Sequence, residues 1–334
     1  MSVLLTIVGL LAAVTLAAAG WIGYSAIFVS HRMALPPAVP GERREFASKA
    51  GRLSYYRAGP EGGSPLLLVH SINAAASAYE VRPLYEHYLT THAVYALDLP
   101  GYGFSERGDR SYSPRLMTDA LLAMVTEIMR IHGTAPIDAL ALSLSSEFLA
   151  RAAIDNPAAF GTLAIVSPTG FHRSTPDDAP PGSTRAMPTL RRIFTFPLWS
   201  RAFFDLLTSK PSIRYFLRKT WGSKEIDEGL VEYDYLTTHQ PGAQHAPYCF
   251  VTGFLFSRDI RRIYRALTHP VWMVHGERGD FVDYSGAGAF KGSPNWEVHQ
   301  LPTGALPHFE RLEQFVRSYD AFRSRFGEKG ANRS

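Results

Sequence analysis

Cysteine is nearly missing from this chain of 334 residues: Cys249 stands alone, so no intrachain disulfide can staple the fold and a buried core must hold it. Metal-ligand spacing is missing too. The twelve histidines contain no His-Glu-x-x-His, and one cysteine cannot make Cys-x-x-Cys, so no metal is implied. Charge of one sign is not concentrated anywhere: 34 Lys and Arg are interspersed with 30 Asp and Glu, for a net charge of +4. No basic stripe is present to hold a nucleic acid, and none is expected as a partner. Gly101 and Gly103 lack the third glycine of a dinucleotide-binding Gly-x-Gly-x-x-Gly, and no cofactor is implied. Internal repeats are absent. What remains, 46% hydrophobic and 19% charged, suits a globular enzyme of one large domain or of one domain with an insertion.

Charge is also absent from residues 1–30. The apolar run from Val3 to Val29 is roughly 40 Å long as a helix at about 1.5 Å per residue, enough to cross a bilayer. Ala17-Ala18-Ala19 has the small residues of a signal-peptide cleavage site. No Lys or Arg precedes the run, however, and it continues past them through Trp21, Ile22 and Ile27-Phe28-Val29. A retained transmembrane anchor over 1–30 is therefore expected. Arg32, Arg43, Arg44 and Lys49 follow it and nothing basic precedes it, which predicts a single-pass protein with its main domain in the cytoplasm. Pro36, Pro37, Pro40 and Gly41 mark 31–50 as an extended linker.

Beyond the linker, short apolar runs alternate with helix-period segments. Strands are expected at 53–57, 65–70, 93–98, 137–142 and 163–166, with helices over 79–88, from Ser113-Pro114 to Gly133, and after Ser143. Such alternation predicts an α/β fold with a mostly parallel, doubly wound sheet. It lapses between 170 and 268, where helix-like segments at 198–207, 213–221 and 226–236 are rich in large apolar residues. It resumes with strands at 271–275 and 296–301 and a closing amphipathic helix. The expected division is a core of 51–169 and 269–328 with a helical cap at 170–268.

One stretch organises the rest. Ile137 to Leu142 is a buried strand that pivots on Ser143 into a helix carrying Phe148, Leu149, Ala152 and Ala153 on one side. A serine at such an apex is lifted clear of the sheet and faces the positive N-terminus of the helix. Three other motifs stand around it in order: His70-Ser71-Ile72-Asn73 after a buried strand; Asp98-Leu99-Pro100-Gly101-Tyr102-Gly103-Phe104-Ser105 after the next; and Pro302 to Glu310, containing His308, after the last.

Together these motifs make residues 50–328 resemble the α/β-hydrolase-fold serine hydrolases with a helical cap. The resemblance implies Ser143 as nucleophile, His308 as general base, and the backbone N–H groups of Ile72 and Leu144 as the oxyanion hole. His70 would shape its loop and transfer no proton. The family commonly places its acid as Gly-x-x-Asp, but the chain reads Gly276-Glu277-Arg278-Gly279-Asp280-Phe281-Val282-Asp283. Asp280 is expected to serve, with Asp283 as the alternative. Ala141 and Ser145 replace the elbow glycines, and Ser71 replaces the oxyanion-loop glycine. The aromatic-rich cap, with Phe194, Trp199, Phe203, Tyr248, Phe254 and Phe256 among its members, implies a hydrophobic small-molecule substrate. The leading expectation is hydrolysis of a hydrophobic ester through an acyl-enzyme. The alternative is a catalytically weak member of the fold that binds a hydrophobic ligand.

Overall fold

The computed structural model describes residues 2–133, 136–280 and 283–331. A helix, α1 (Ser2–Phe28), precedes two strands, β1 (Glu42–Ser48) and β2 (Gly51–Ala58). Alternation follows: β3 (Pro65–Val69), α2 (Arg82–Tyr88), β4 (Ala93–Asp98), α3 (Pro114–His132), β5 (Ile137–Leu142), α4 (Ser145–Asp155) and β6 (Phe160–Val166). Between β6 and the next strand lie α5 (Pro188–Phe194), α6 (Ser200–Leu207), α7 (Lys210–Trp221), α8 (Glu228–Thr238), α9 (His245–Val251) and α10 (Ile260–Arg265). The chain closes with β7 (Val271–Gly276), β8 (Trp296–Leu301), α11 (Pro307–Glu310) and α12 (Leu312–Ala331).

The described strands form an eight-stranded sheet in the order β1-β2-β4-β3-β5-β6-β7-β8. The first two pairings are antiparallel and those from β4 to β8 are parallel. Strand period divides the core into two layers. Leu67, Val69, Tyr95 and Leu97 pack with Met117 and Leu121 of α3 and Phe148 of α4. Leu66, Leu68, Val94 and Ala96 face the other way, against Leu84 of α2 and Phe315 and Tyr319 of α12. Helices on both faces explain why β3 and β4 are buried throughout. The chain order reverses at β3, flanked by β4 and β5, and the crevice at the C-terminal ends of these strands is where such sheets hold ligands.

Residues 42–48 correct the expected linker. Glu42, Arg43, Arg44 and Glu45 fall inside the expected linker 31–50, yet they form the edge strand β1, paired with β2 from Glu42↔Arg57 to Ser48↔Gly51. Charged edge strands avoid pairing with other chains, so the same charges that hide the strand in sequence suit its position. The segment before it is also fastened. Ala38 and Val39 are buried, Ala38 N–H donates to Tyr56 Oη (3.1 Å), and Tyr233 of α8 donates to the Pro36 carbonyl (2.9 Å).

The C-terminal end of α1 docks on α6. Trp21 Nε1 donates to the Ala202 carbonyl (2.7 Å), Ser25 Oγ to Asp205 Oδ2 (2.5 Å), and His31 Nε2 lies 2.9 Å from the same carboxylate. Asp205 is buried. Asp205→Ala removes the acceptor of both side chains and is expected to weaken the docking by about 1–3 kcal/mol. The readout is faster protease cleavage at 29–41 in the detergent-solubilised full chain.

Candidate active site

Ser143 sits where β5 turns into α4, at φ +50; among the described non-glycine residues only Ser167 (φ +46), at the end of the neighbouring β6, shares the left-handed region. That backbone costs an L-residue about 1–3 kcal/mol and persists only where its surroundings impose it. The surroundings are specific. Ser143 N–H donates to the Val166 carbonyl (2.8 Å), and its own carbonyl accepts from Ser146 N–H (3.1 Å). Ser145, in place of a glycine, donates through Oγ to the His70 carbonyl (2.6 Å), which ties the elbow to the loop after β3. Ser146 Oγ reaches the Ala141 carbonyl (3.2 Å).

The loop after β3 is built around a carboxylate that the motif reading missed. Glu80 accepts from Ser71 N–H (2.7 Å), Ser71 Oγ (3.0 Å) and Asn73 Nδ2 (2.7 Å). Burial raises its pKa against these bonds. The serine that replaces glycine at position 71 thus supplies two of the three bonds. An acidic residue inside the apolar turn Ala78-Tyr79-Glu80-Val81 was the available signal. His70 is architectural: Leu99 N–H donates to its Nε2 (3.0 Å), Nδ1 meets the Ser71 carbonyl (2.6 Å), and burial lowers its pKa to about 4. Asp98 accepts from the N–H groups of Ala78 (3.1 Å) and Phe104 (3.0 Å), while Ser105 Oγ holds its carbonyl (2.5 Å). With both loops fixed, the N–H groups of Ile72 and Leu144 have no acceptor among the described residues, although both side chains are buried. An oxyanion site needs such a pair of unsatisfied donors.

The base and acid expected from the sequence make no hydrogen bond to this serine among the described residues. His308, fully buried in α11, directs Nε2 to the Glu80 carbonyl (2.7 Å). A carbonyl only accepts, so Nε2 carries the proton there, and Nδ1 has no partner. Burial lowers the His308 pKa to about 4. Asp280 lies at the surface, paired with Lys219 Nζ (2.6 Å). Asp283 is used by Ser285 N–H (3.1 Å), Ser285 Oγ (2.7 Å) and His172 Nε2 (3.2 Å). Among the described residues no hydrogen bond joins Ser143, His308, Asp280 or Asp283.

The cap chain touches the loops next to both residues. The end of α7, residues 219–222, is wedged against the loops that follow β7 and β8. Asp280 N–H donates to the Lys219 carbonyl (3.1 Å), and Ala305 N–H donates to the Thr220 carbonyl (3.0 Å). A Cβ on Gly304 would overlap the Trp221 backbone, and one on Gly279 (φ +97) would lie 2.6 Å from the Lys219 carbonyl oxygen. The two glycines admit the cap chain where side chains could not stand. Glu310 then pins the second loop, accepting from Gly304 N–H (2.6 Å) and pairing with Arg278.

Burial of the neutral histidines has a pH signature. His308 titrates at about 4 in the fold, below the 6.5 of an exposed imidazole, so its contribution is intact above pH 6.5 and is lost as the pH falls towards 4. Asp98 and Glu147, raised by burial to about 6, act with the opposite sign and lose stability as the pH rises through 6. Partial cancellation is therefore expected in the wild type. His308→Asn removes one acid-sensitive group, so the difference in unfolding free energy between variant and wild type should move by roughly 2 kcal/mol in the variant's favour from pH 7 to pH 5. Urea unfolding at the two pH values measures it.

Residues 66–318 match the alpha/beta hydrolase family. No curated protein matches the chain. Solved structures show the same architecture. A probable hydrolytic enzyme from Pseudomonas aeruginosa is 17% identical with a TM-score of 0.65, covering 89% of this chain and 99% of its own. A serine hydrolase involved in carbazole degradation is 15% identical, TM-score 0.64, over 85% and 99%. A membrane phospholipase A, described as a bacterial virulence factor, is 17% identical with a TM-score of 0.62 and spans 100% of both chains.

Proposed function

The chain belongs to the α/β-hydrolase family, an enzymatic superfamily whose structural neighbours here include hydrolases, and from that premise we propose that it holds a hydrophobic molecule with an ester or carboxylate head at the Ser143 elbow and turns it over slowly, if at all. The observation that carries this reading is the fate of His308. Its Nε2–H is given to the Glu80 carbonyl, burial lowers its pKa to about 4, and it makes no hydrogen bond to Ser143 among the described residues, which supports a weakly activated hydroxyl. The receptor half of the site is intact by contrast. The N–H groups of Ile72 and Leu144 have no acceptor among the described residues, and Leu144 caps the N-terminus of α4, a setting that favours a partly negative oxygen. Such a site holds a carbonyl or carboxylate without needing to attack it. No metal-binding group of His, Cys, Asp or Glu occurs among the described residues, and the site's donors are N–H and hydroxyl groups that suit an oxygen acceptor.

The lipophilic nature of the ligand is supported by α1, of which Thr6–Phe28 is long and apolar enough to cross a membrane. The likeness along the whole chain to a membrane phospholipase A points the same way. Hydrolysis through Ser143, His308 and Asp280 is the second reading, and the left-handed backbone at Ser143 favours it. It requires His308 Nε2 to leave the Glu80 carbonyl. The deciding experiment is equilibrium binding of a fluorescent long-chain ester to the full chain in detergent, with the bound ester recovered and analysed. Recovery of intact ester supports the receptor reading. Multiple turnovers lost in both Ser143→Ala and a folded His308→Asn overturn it, as does an absence of binding.

A further inference from the structure

Outside α1, the exposed large apolar side chains among the described residues all lie within 187–216 of the cap. Ile193, Phe196, Leu198, Trp199, Leu206 and Phe216 are each 37–64% exposed. Scattered apolar residues on a surface need no account, but a contiguous set marks a contact. Trp199 and Leu206 of this set lie on or beside α6, where α1 meets the cap. Trp199 and Leu206 stand seven residues apart with Ala202 three from the first, so the helix period puts them beside the α6 stripe that receives Trp21 and Ser25. Phe196 packs its ring on Trp199 with centroids 4.5 Å apart.

Helix length allows that contact to lie at a membrane boundary. From Ser2 to Trp21 α1 rises roughly 29 Å at about 1.5 Å per residue, close to the hydrocarbon thickness of a bilayer at about 30 Å. With the span beginning at the start of α1, Trp21, stacked on Tyr24, lies at the boundary where aromatic side chains collect, and α6 is bonded to Trp21. Charge agrees. Between 187 and 204 the charged residues are Arg191, Arg192 and Arg201, with no acid until the buried Asp205. Arg192 is exposed and has no ion-pair partner among the described residues.

We propose that the corner formed by α5 and α6 is seated in the headgroup–acyl boundary of the same bilayer that α1 crosses, with Phe196, Leu198 and Trp199 in the acyl region and the exposed Arg192 towards anionic headgroups. The proposal rests on α1 being a membrane anchor. It also deepens the reading of the site, because a cap held in the interface opens towards ligands dissolved in the bilayer. The arrangement is that of an interfacial amphipathic surface, in which apolar burial and attraction to anionic lipid add.

The test uses the full chain with Cys249→Ser, single cysteines introduced at Leu11, Leu198 or Arg317, and an environment-sensitive fluorophore on each. The proteins are reconstituted in phosphatidylcholine–phosphatidylglycerol vesicles containing nitroxide-labelled acyl chains. Labels at 11 and 198 are expected to lose about half their emission, as apolar-phase probes do, and the label at 317 on α12 to keep it. Quenching at 11 without quenching at 198 overturns the cap contact and leaves the anchor standing. Absence of quenching at 11 overturns the anchor and the proposal with it. A measurement without cysteine replacement guards against misfolding: brominated lipid should quench the tryptophan emission of the native sequence more than that of Trp199→Phe. Equal quenching of the two overturns the proposal.

Discussion

A fluorophosphonate probe is expected to label Ser143 of the folded full-length chain about 10²–10⁴-fold more slowly than it labels a serine paired with a base, which is the usual contribution of general-base assistance. Ser143→Ala should abolish the labelling. His308→Asn should leave its rate unchanged, because the imidazole donates to the Glu80 carbonyl 2.7 Å away and makes no bond to Ser143. Asparagine retains a donor for that carbonyl, so the variant has a route to the same fold. A fast reaction with the wild type, lost in a folded His308→Asn protein, would falsify the receptor reading and restore the hydrolytic triad. The elbow contributes the strained backbone and the oxyanion donors, and those alone leave some residual reactivity. Slow labelling is therefore the expected result, and complete inertness is not required.

The largest stability effect is expected at Gly103. Its φ of +51 lies in the left-handed region, and a Cβ placed there would overlap the Asp98 carboxylate at three atoms. Asp98 cannot move aside. It is fully buried and accepts from Ala78 and Phe104, so displacing it would release the turn that carries Glu80 as well as the loop after β4. Gly103→Ala should cost about 3–5 kcal/mol, a large share of the 5–15 kcal/mol that holds a typical domain together. Gly62→Ala is the control: nothing lies within 4 Å of a Cβ there and the backbone is not left-handed. Denaturant midpoints for the two variants should separate clearly. Equal midpoints would remove Asp98 from the centre of the site's scaffold.

Glu80 and Ser145 explain how a chain without the usual glycines keeps the elbow geometry. Glycines at 71 and 145 would let backbones approach without contact. Here hydroxyl groups fill the two positions and convert the close approach into hydrogen bonds, Ser71 to Glu80 and Ser145 to the His70 carbonyl. The departures in the motif are therefore compensated on the receptor side of the site. On the side of the base and acid, His308 and Asp280 bond to Glu80 and Lys219. Gly279 and Gly304 lie against the backbone of residues 219–222, and that backbone occupies the ground between the two loops.

Local chemistry made most of the core legible. Runs such as Leu66-Leu67-Leu68-Val69 have no polar face, which only a strand covered on both sides can use, and β3 is such a strand. Ser113-Pro114 announced a helix start by cap and proline, and α3 begins at Pro114 with Ser113 Oγ accepting from Leu116 N–H. Strand, turn and helix around Ser143 were readable because sharp elbows demand small neighbours and a buried strand before them. β1 was not readable, since its charges carry no periodic apolar signal and its existence depends on pairing with β2. The occupation of His308 by the Glu80 carbonyl joins residues 228 apart, and the wedge of 219–222 joins the cap to loops some sixty and more residues later. Motif order in the chain determined which residues arrive at the C-terminal edge of the sheet. Whether their side chains face one another was decided only by tertiary packing, because a hydrogen bond depends on ångströms and direction, and sequence spacing encodes neither across an inserted cap.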